Sequence, residues 1–394
     1  MINLHEEIEK NNIIYTNSVL DALCKKISKY ENQEILILGT EHHVGETEAL
    51  FDALKRKYQA SRVIACDIHM NKTIGIKFCS AWIKENTRLI IAVGNNNIYN
   101  HSKILSGIFN IPIVYICYDI PNIFALYPNA LYVDNSNHSA PSQTLAIIVN
   151  ESSLYHNPSI ADSYAQGIST MWTLIEQDIM NKFSLRSISQ NDNTLLELIN
   201  GIYALSNKLE AQNLSAQKEL SMLLLVLSKN LNFDEYIKSD LVECTLSHTR
   251  TKPNTIQNIG SHQLLYAEMF SLSFLRYFES DLQIYLKFPL EDAIGLASQQ
   301  SNNFLSQCLE DQTAEHIQKT QFIFGVYKNK LQAQLQNVTN FLSHCNKVFK
   351  RLQPNAGYDF FKDINIQEYI SNIKKISLTN THSIAYNLKL TKLI

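Results

Sequence analysis

Short apolar runs alternate with amphipathic segments over the first 150 residues of the chain. The apolar runs predict five buried strands, at residues 35–38, 62–66, 89–93, 113–117 and 145–149. Apolar residues at helical spacing between them predict helices at 46–58, 73–85 and 100–109. Strands separated by single helices of this length are typical of a parallel sheet wrapped by helices.

The pattern changes after residue 150. From residue 160 onward, apolar side chains recur at i, i+3, i+4 and i+7, as at Leu195, Ile199 and Ile202, and strand signals become rare. Breaks are predicted at 191–193, at 229–234 and at Pro253 and Pro289. We therefore expect a Rossmann-like α/β domain over residues 1–150 and an all-α domain over residues 151–394.

Composition excludes several classes of protein. With 34 basic and 37 acidic residues among 394 and a net charge of −3, nothing favours a nucleic-acid partner. The acidic N-terminus lacks an apolar signal segment, and no apolar run approaches the length of a membrane span. Seven scattered cysteines without a CxxC pair indicate reduced thiols. These features predict a cytoplasmic protein that contacts no membrane.

Three polar loops follow predicted strands, at residues 39–43, 94–97 and 118–121. Open parallel sheets bind ligands beyond the carboxyl ends of their strands, so these loops are expected to line a crevice. His42 and His43 are adjacent in the first loop, where neighbouring side chains point apart, and a surface role is favoured for them.

The second loop carries the main chemical question. Its sequence is Gly94-Asn95-Asn96-Asn97, and such strand-to-helix turns bind phosphate through free backbone N–H groups. Glycine lets the backbone approach a pyrophosphate closely, whereas asparagine adds a side chain. Two outcomes are open: the amides point away and bind a smaller anion, or they fill the site.

The order of these features resembles a known superfamily. Val93-Gly94, three turn residues and Lys103 are followed by Ile111-Pro112, a further strand and a helical half with two spaced histidines. This is similar to the iron-containing alcohol dehydrogenases, the glycerol and glycerol-1-phosphate dehydrogenases and the dehydroquinate synthases. Where members read VGGGSxxDxAK, this chain reads VGNNNIYNHSK, with Asn100 at the acidic position.

The resemblance implies an NAD or NADP site. Its contacts would be Gly94, Asn95, Asn96, Asn97, Asn100 and, from the first loop, Thr40. Lys103 would be the catalytic residue that reaches a substrate or cofactor anion. A lysine on a solvated helix face is an equally good interpretation of that position.

The resemblance also implies a divalent metal, zinc or iron. His248 and His262 are 14 residues apart, similar to the spacing in iron-type alcohol dehydrogenases. Asp162 and Gln166 correspond to the family's GxDAxxH segment if several residues are deleted after Asn150; without that deletion the ligand position falls on Ile168. Asp162 is also typical of a helix N-cap or first turn.

The main functional hypothesis is a divergent metal-dependent, NAD(P)-linked dehydrogenase that acts on a small-molecule polyol or sugar-phosphate alcohol. The metal would polarise the alcohol and the nicotinamide would accept hydride. One alternative is an inactive relative that serves as a binding or scaffold protein, for example as a homo-oligomer. Another is a lyase like the dehydroquinate synthases.

Overall fold

The computed structural model describes residues 3–65, 77–128, 141–155, 157, 159–182, 192–232, 236, 239–251, 259–285, 314–353 and 365–379. The chain forms two compact units. The first unit comprises Met1–Ser163 and Asn200–Asn230, and the second comprises Tyr164–Ile199 and Leu231–Ile394.

A parallel sheet is the centre of the first unit. Within the described residues its six strands are β1 (Ile13–Thr16), β2 (Glu34–Thr40), β3 (Gln59–Ala65), β4 (Thr87–Gly94), β5 (Ile113–Cys117) and β6 (Thr144–Asn150). Their order is β1-β6-β5-β4-β2-β3, and every pairing is parallel. The central strands are buried along nearly their whole length, which explains why they read as continuous apolar runs.

Helices pack on both faces of this sheet. The first are α1 (Leu4–Lys10), α2 (Val19–Ile27), α3 (Val44–Leu54) and α4 (Asn96–Phe109). Alternate residues of β2 enter different cores: Ile35 and Ile37 pack with α2 and α3, whereas Leu36 and Leu38 pack with α4. Helices α3 and α4 therefore cover opposite faces.

The second unit is helical wherever it is described. Helix α5 (Ile160–Lys182) begins in the first unit and continues into the second. The helices that follow it are α6 (Asp192–Ala204), α7 (Ser206–Glu210), α8 (Leu214–Asn230), α9 (Asp240–Thr251), α10 (Ile259–Tyr285), α11 (Ala314–Leu352) and α12 (Ile366–Thr379). Of these, α6 passes from the second unit into the first after Ile199, and α7 and α8 belong to the first unit.

Helix α8 is held to the sheet unit by polar contacts as well as by burial. The hydroxyls of Ser221 and Tyr15 are 2.6 Å apart, and Lys218 forms an ion pair with Glu151. Ser228 Oγ accepts the backbone N–H of Leu126 at 3.1 Å. The predicted boundary at residue 150 does not anticipate that this later helix packs with the α/β unit.

The predicted fold class is confirmed, and several element boundaries are corrected. Helix α3 ends at Leu54, before the predicted 58, because residues 55–58 turn into β3, which starts at Gln59 and not at 62. Helix α4 begins at Asn96, four residues before the predicted 100. The four-residue strand β1 was not predicted.

Part of the predicted helix 73–85 is also corrected. Residues 77–80 are helical, but 81–86 form turns and loop before β4. The remainder of that prediction, together with Cys66, Pro253, Pro289 and Cys308, lies outside the described residues.

The expectation of reduced cysteines is met in the described part of the chain. The five described cysteines, Cys24, Cys79, Cys117, Cys244 and Cys345, carry free thiols. Among the described helices, none combines the length and apolar character that crossing a membrane requires.

Candidate functional site

The strand order of the first unit places a crevice between β2 and β4. After β2 the chain crosses one face of the sheet as α3 and adds β3 on one side of β2. After β4 it crosses the opposite face as α4 and adds β5 on the other side of β4. Ligands of open α/β sheets bind at such a reversal, beyond the carboxyl ends of the strands. Here those ends carry Thr40 and Gly94.

His43 fills the space beside Gly94. Its ring Nδ1 lies 3.0 Å from Thr40 Oγ1, and a Cβ added at Gly94 would lie 3.0 Å from both atoms. Gly94 has φ of +127°, a conformation that disfavours other residues. Glycine is therefore needed here for close approach of the protein's own side chains.

Asn95 closes the start of α4. As N-cap, its Oδ1 accepts the backbone N–H groups of Asn97 at 3.1 Å and Ile98 at 3.2 Å. These are the N–H groups that a helix start offers to a bound phosphate. The side chain of Asn95 takes the position of an anion.

Asn96 joins the turn to the loop after β5. Its Nδ2 donates to the carbonyl of Ile120 and its Oδ1 accepts the N–H of Asn122, each at 3.3 Å. Of the two outcomes left open by the sequence, the structure shows the second at Asn95 and Asn96, because their amides bond within the protein. Asn97 and Asn100 are half-buried in the first turns of α4.

Lys103 lies inside the first unit and is 1% exposed. Its Nζ donates to the carbonyls of Phe124 at 2.8 Å and Tyr127 at 2.7 Å, and lies 4.5 Å from the centroid of the Tyr99 ring. Burial lowers the pKa of Lys103 to about 7. These contacts describe an internal anchor for residues 124–127, in contrast to the solvated lysine considered from sequence.

Asp119 completes the crevice on the β5 side. Burial raises the pKa of its carboxyl, and the nearby His43 and an amide hydrogen bond from Asn157 oppose this shift. The bond from Asn157 Nδ2 to Asp119 Oδ1 is 3.4 Å long. Tyr118 precedes it, with its ring centroid 5.4 Å from that of His43.

The sequence indicated the loops but not these partners. His43 is half-buried and bonded within the crevice, so the expected surface role is wrong for it, whereas the adjacent His42 is exposed as expected. Asp119, Tyr118 and Asn157 were not singled out. The acidic residue in the polar loop 118–121 was the available signal in the sequence. Only the strand order shows that this loop lies near the end of β4.

The predicted metal ligands lie on helices α5, α9 and α10. Asp162 is in the first turn of α5, where the helix dipole stabilises a negative charge. Gln166 is buried one turn later on the same face of the helix. His262 is buried in α10, with Nδ1 hydrogen-bonded to the hydroxyl of Tyr369. A metal would have to bind this histidine through Nε2.

The metal site as a whole stays a prediction. His248 lies in α9, and its side chain is outside the described part of the structure. Among the side chains that are described, no three His, Cys, Asp or Glu residues are grouped so as to hold a metal ion. The described residues alone therefore do not supply a metal centre.

No protein-family model matches the sequence, and no curated protein is significantly similar to it. Solved structures do share its fold. NADH-dependent butanol dehydrogenase A from Thermotoga maritima is 11% identical with a TM-score of 0.55, over 94% of this chain and 90% of that chain.

Two other structures agree with this comparison. Alcohol dehydrogenase from Oenococcus oeni is 12% identical with a TM-score of 0.51, over 96% of this chain and 97% of that chain. Glycerol dehydrogenase from Schizosaccharomyces pombe is 11% identical with a TM-score of 0.50, over 89% and 92%. The resemblance inferred from sequence is confirmed at the level of the fold.

Proposed function

We propose that this protein, which has the fold of alcohol and glycerol dehydrogenases, is a small-ligand-binding protein that does not bind a dinucleotide at the usual turn. The observation that carries this proposal is the cap made by Asn95. Its carboxamide oxygen accepts two N–H groups at the start of α4 that a pyrophosphate would otherwise use.

Further contacts support the same conclusion. The amide of Asn96 bridges the turn to Ile120 and Asn122, and His43 occupies the close approach that Gly94 provides. The carboxyl of Asp119 adds a group that repels phosphate when ionised. A dinucleotide would have to displace several internal hydrogen bonds and accept an unfavourable charge.

Calorimetric titration with NADH and NADPH tests the proposal directly. We expect no binding tighter than on the order of 0.1 mM, which corresponds to about 5.5 kcal/mol. A tighter dissociation constant, or turnover of an alcohol with either cofactor, would contradict the proposal.

Glycine substitutions test the physical cause. Asn95→Gly with Asn96→Gly removes the internal cap and the bridge, and we expect this double variant to bind NADH more tightly than wild type. Asn110→Gly is the matched control, because Asn110 ends the same helix in the left-handed conformation and does not touch the turn. Equal binding by the double variant and the control would show that the asparagines do not close the site.

The second candidate is a metal-dependent, NAD(P)-linked alcohol dehydrogenase. The 14-residue spacing of His248 and His262 on successive helices favours it, together with the dehydrogenase fold. Asp162, Gln166, His248 and His262 would hold zinc or iron, which would supply Lewis-acid polarisation of a substrate alcohol.

Metal analysis of protein purified without chelator separates the two candidates. One ion per chain that is lost in both His248→Ala and His262→Ala, but kept in the exposed control His5→Ala, would establish the metal site. Cofactor-dependent oxidation of a polyol by the same preparation would then favour the second candidate over the first.

A further inference from the structure

The donors that a dinucleotide would use in the crevice at the carboxyl ends of β2 and β4 are already hydrogen-bonded within the protein. The N–H groups of Asn97 and Ile98 are already bonded to Asn95, and Asn96 gives its amide to the carbonyl of Ile120. Asp119, one residue before Ile120, belongs to the same loop. The turn therefore offers few free donors to an anion, and the adjoining loop carries a carboxyl.

Asp119 is held in place by Asn157. The amide of Asn157 contacts Asp119 Oδ1 and the carbonyl of Tyr118, each at 3.4 Å, while its own Oδ1 accepts the N–H of Ser159 at 2.9 Å. Asn157 is buried, so the carboxyl has a fixed support. A preorganised carboxyl binds a ligand with little ordering cost.

Among the residues that the structure describes, no Lys or Arg pairs with this carboxyl. None of the ion pairs formed by described residues includes Asp119. Besides the amide of Asn157, the side chains that lower the pKa of Asp119 are His43 and His42. Removing a carboxyl from water without a charged partner costs free energy, which a bound cation would offset.

The residue before Asp119 in the loop is aromatic. The rings of Tyr118 and His43 are 5.4 Å apart and inclined at 34°. Burial raises the pKa of the Tyr118 phenol, and the nearby Glu46 raises it further. Carboxylates beside an aromatic face are the chemistry that binds organic ammonium groups.

From these contacts we propose that Asp119 binds the primary ammonium group of a small organic cation, with Tyr118 packing against the ligand's first carbons. This proposal rests on the proposed function, since the crevice must be free of dinucleotide. It adds the ligand class and the residue that recognises it.

Nuclear magnetic resonance titration of the full-length protein tests the proposal. Butylammonium is the probe, with butan-1-ol and butyrate at equal ionic strength as matched probes of the same carbon chain. We expect saturable shifts at the amides of residues 94–97 and 118–120 with butylammonium alone. Equal or stronger responses to butan-1-ol or butyrate would overturn the proposal.

Matched variants identify the binding residue. Asp119→Asn keeps the shape and the acceptor for Asn157 but removes the charge, so we expect affinity for butylammonium to fall by about tenfold or more. Asp52→Asn makes the same change on the exposed surface of α3 and should leave affinity unchanged. An unaltered affinity in a folded Asp119→Asn protein, or an equal loss in Asp52→Asn, would refute the assignment.

The result is independent of the cofactor test. Dinucleotide binding measured by calorimetry would refute the proposed function, whether or not butylammonium binds. Absence of both dinucleotide and butylammonium binding would leave the proposed function intact and refute only the ligand class.

Discussion

Ionisation of Asp119 lowers the stability of the folded protein. Burial raises its pKa, so the folded protein holds the carboxyl proton more tightly than the unfolded chain, where the value is 3.8. The folded state then loses stability as pH rises from about 4 through the raised pKa. Such a cost is typical of groups retained for binding.

Asp119→Asn should accordingly stabilise the protein at neutral pH. Asparagine cannot ionise and still accepts the hydrogen bond from Asn157, so we expect a gain on the order of 1 kcal/mol at pH 7. Urea unfolding between pH 4 and 7.5 should show the gain disappear towards pH 4. The control Asp52→Asn should show no such gain, because its pairing with Lys55 lowers the pKa of Asp52.

Lys103 gives a prediction of the opposite pH dependence. Since burial lowers its pKa from 10.5 to about 7, the unfolded chain binds more protons between these values. Wild-type stability should therefore rise with pH above 7 relative to a variant that cannot titrate. The neutral amine still has two N–H groups for the carbonyls of Phe124 and Tyr127.

Lys103→Met removes both hydrogen bonds and the titration. We expect a loss of about 1–3 kcal/mol at pH 7, because two buried carbonyls lose their donor. The deficit should widen when unfolding is measured at pH 9.5. A constant deficit across this range would show that Lys103 keeps an ordinary pKa, and Lys55→Met is the exposed control.

At the level of the element, helix α4 depends on Asn95 for its start. An N-cap side chain that accepts two N–H groups contributes about 1 kcal/mol, so Asn95→Ala should lower the free energy of unfolding by that amount. Asn95→Asp should retain stability because the carboxylate can make the same bonds and favours the helix dipole. Urea midpoints of the two variants measure the difference.

The strands were predictable because burial on both faces leaves a continuous apolar run, as at 35–38 and 113–117. The start of α4 was less predictable, since asparagine serves equally in a phosphate turn and as an N-cap. Which amide bonds where depends on Ile120 and Asn122, more than twenty residues later. The local pattern does not contain that contact.

At the scale of the molecule, strand order decides what the candidate site contains. The order β1-β6-β5-β4-β2-β3 brings His43, Gly94 and Asp119 to one edge of the sheet, although about 75 residues of sequence separate the first from the last. Hydrophobic periodicity predicts strands but not their neighbours. The loops were therefore predicted, whereas the pairing of His43 with Thr40 and the position of Asp119 required the fold.

The packing of helix α8 is also not predictable from hydrophobic periodicity, because its sequence pattern resembles that of the helices in the second unit. Its membership of the sheet unit predicts energetic coupling between Tyr15 and Ser221, whose hydroxyls are 2.6 Å apart across 206 residues of sequence. A double-mutant cycle with Tyr15→Phe and Ser221→Ala should give a coupling free energy of about 0.5–1.5 kcal/mol. A cycle with Tyr15→Phe and the exposed Ser215→Ala is the control and should be additive. Additivity in both cycles would place α8 away from β1 and would return residues 200–230 to the helical half that the sequence pattern predicts.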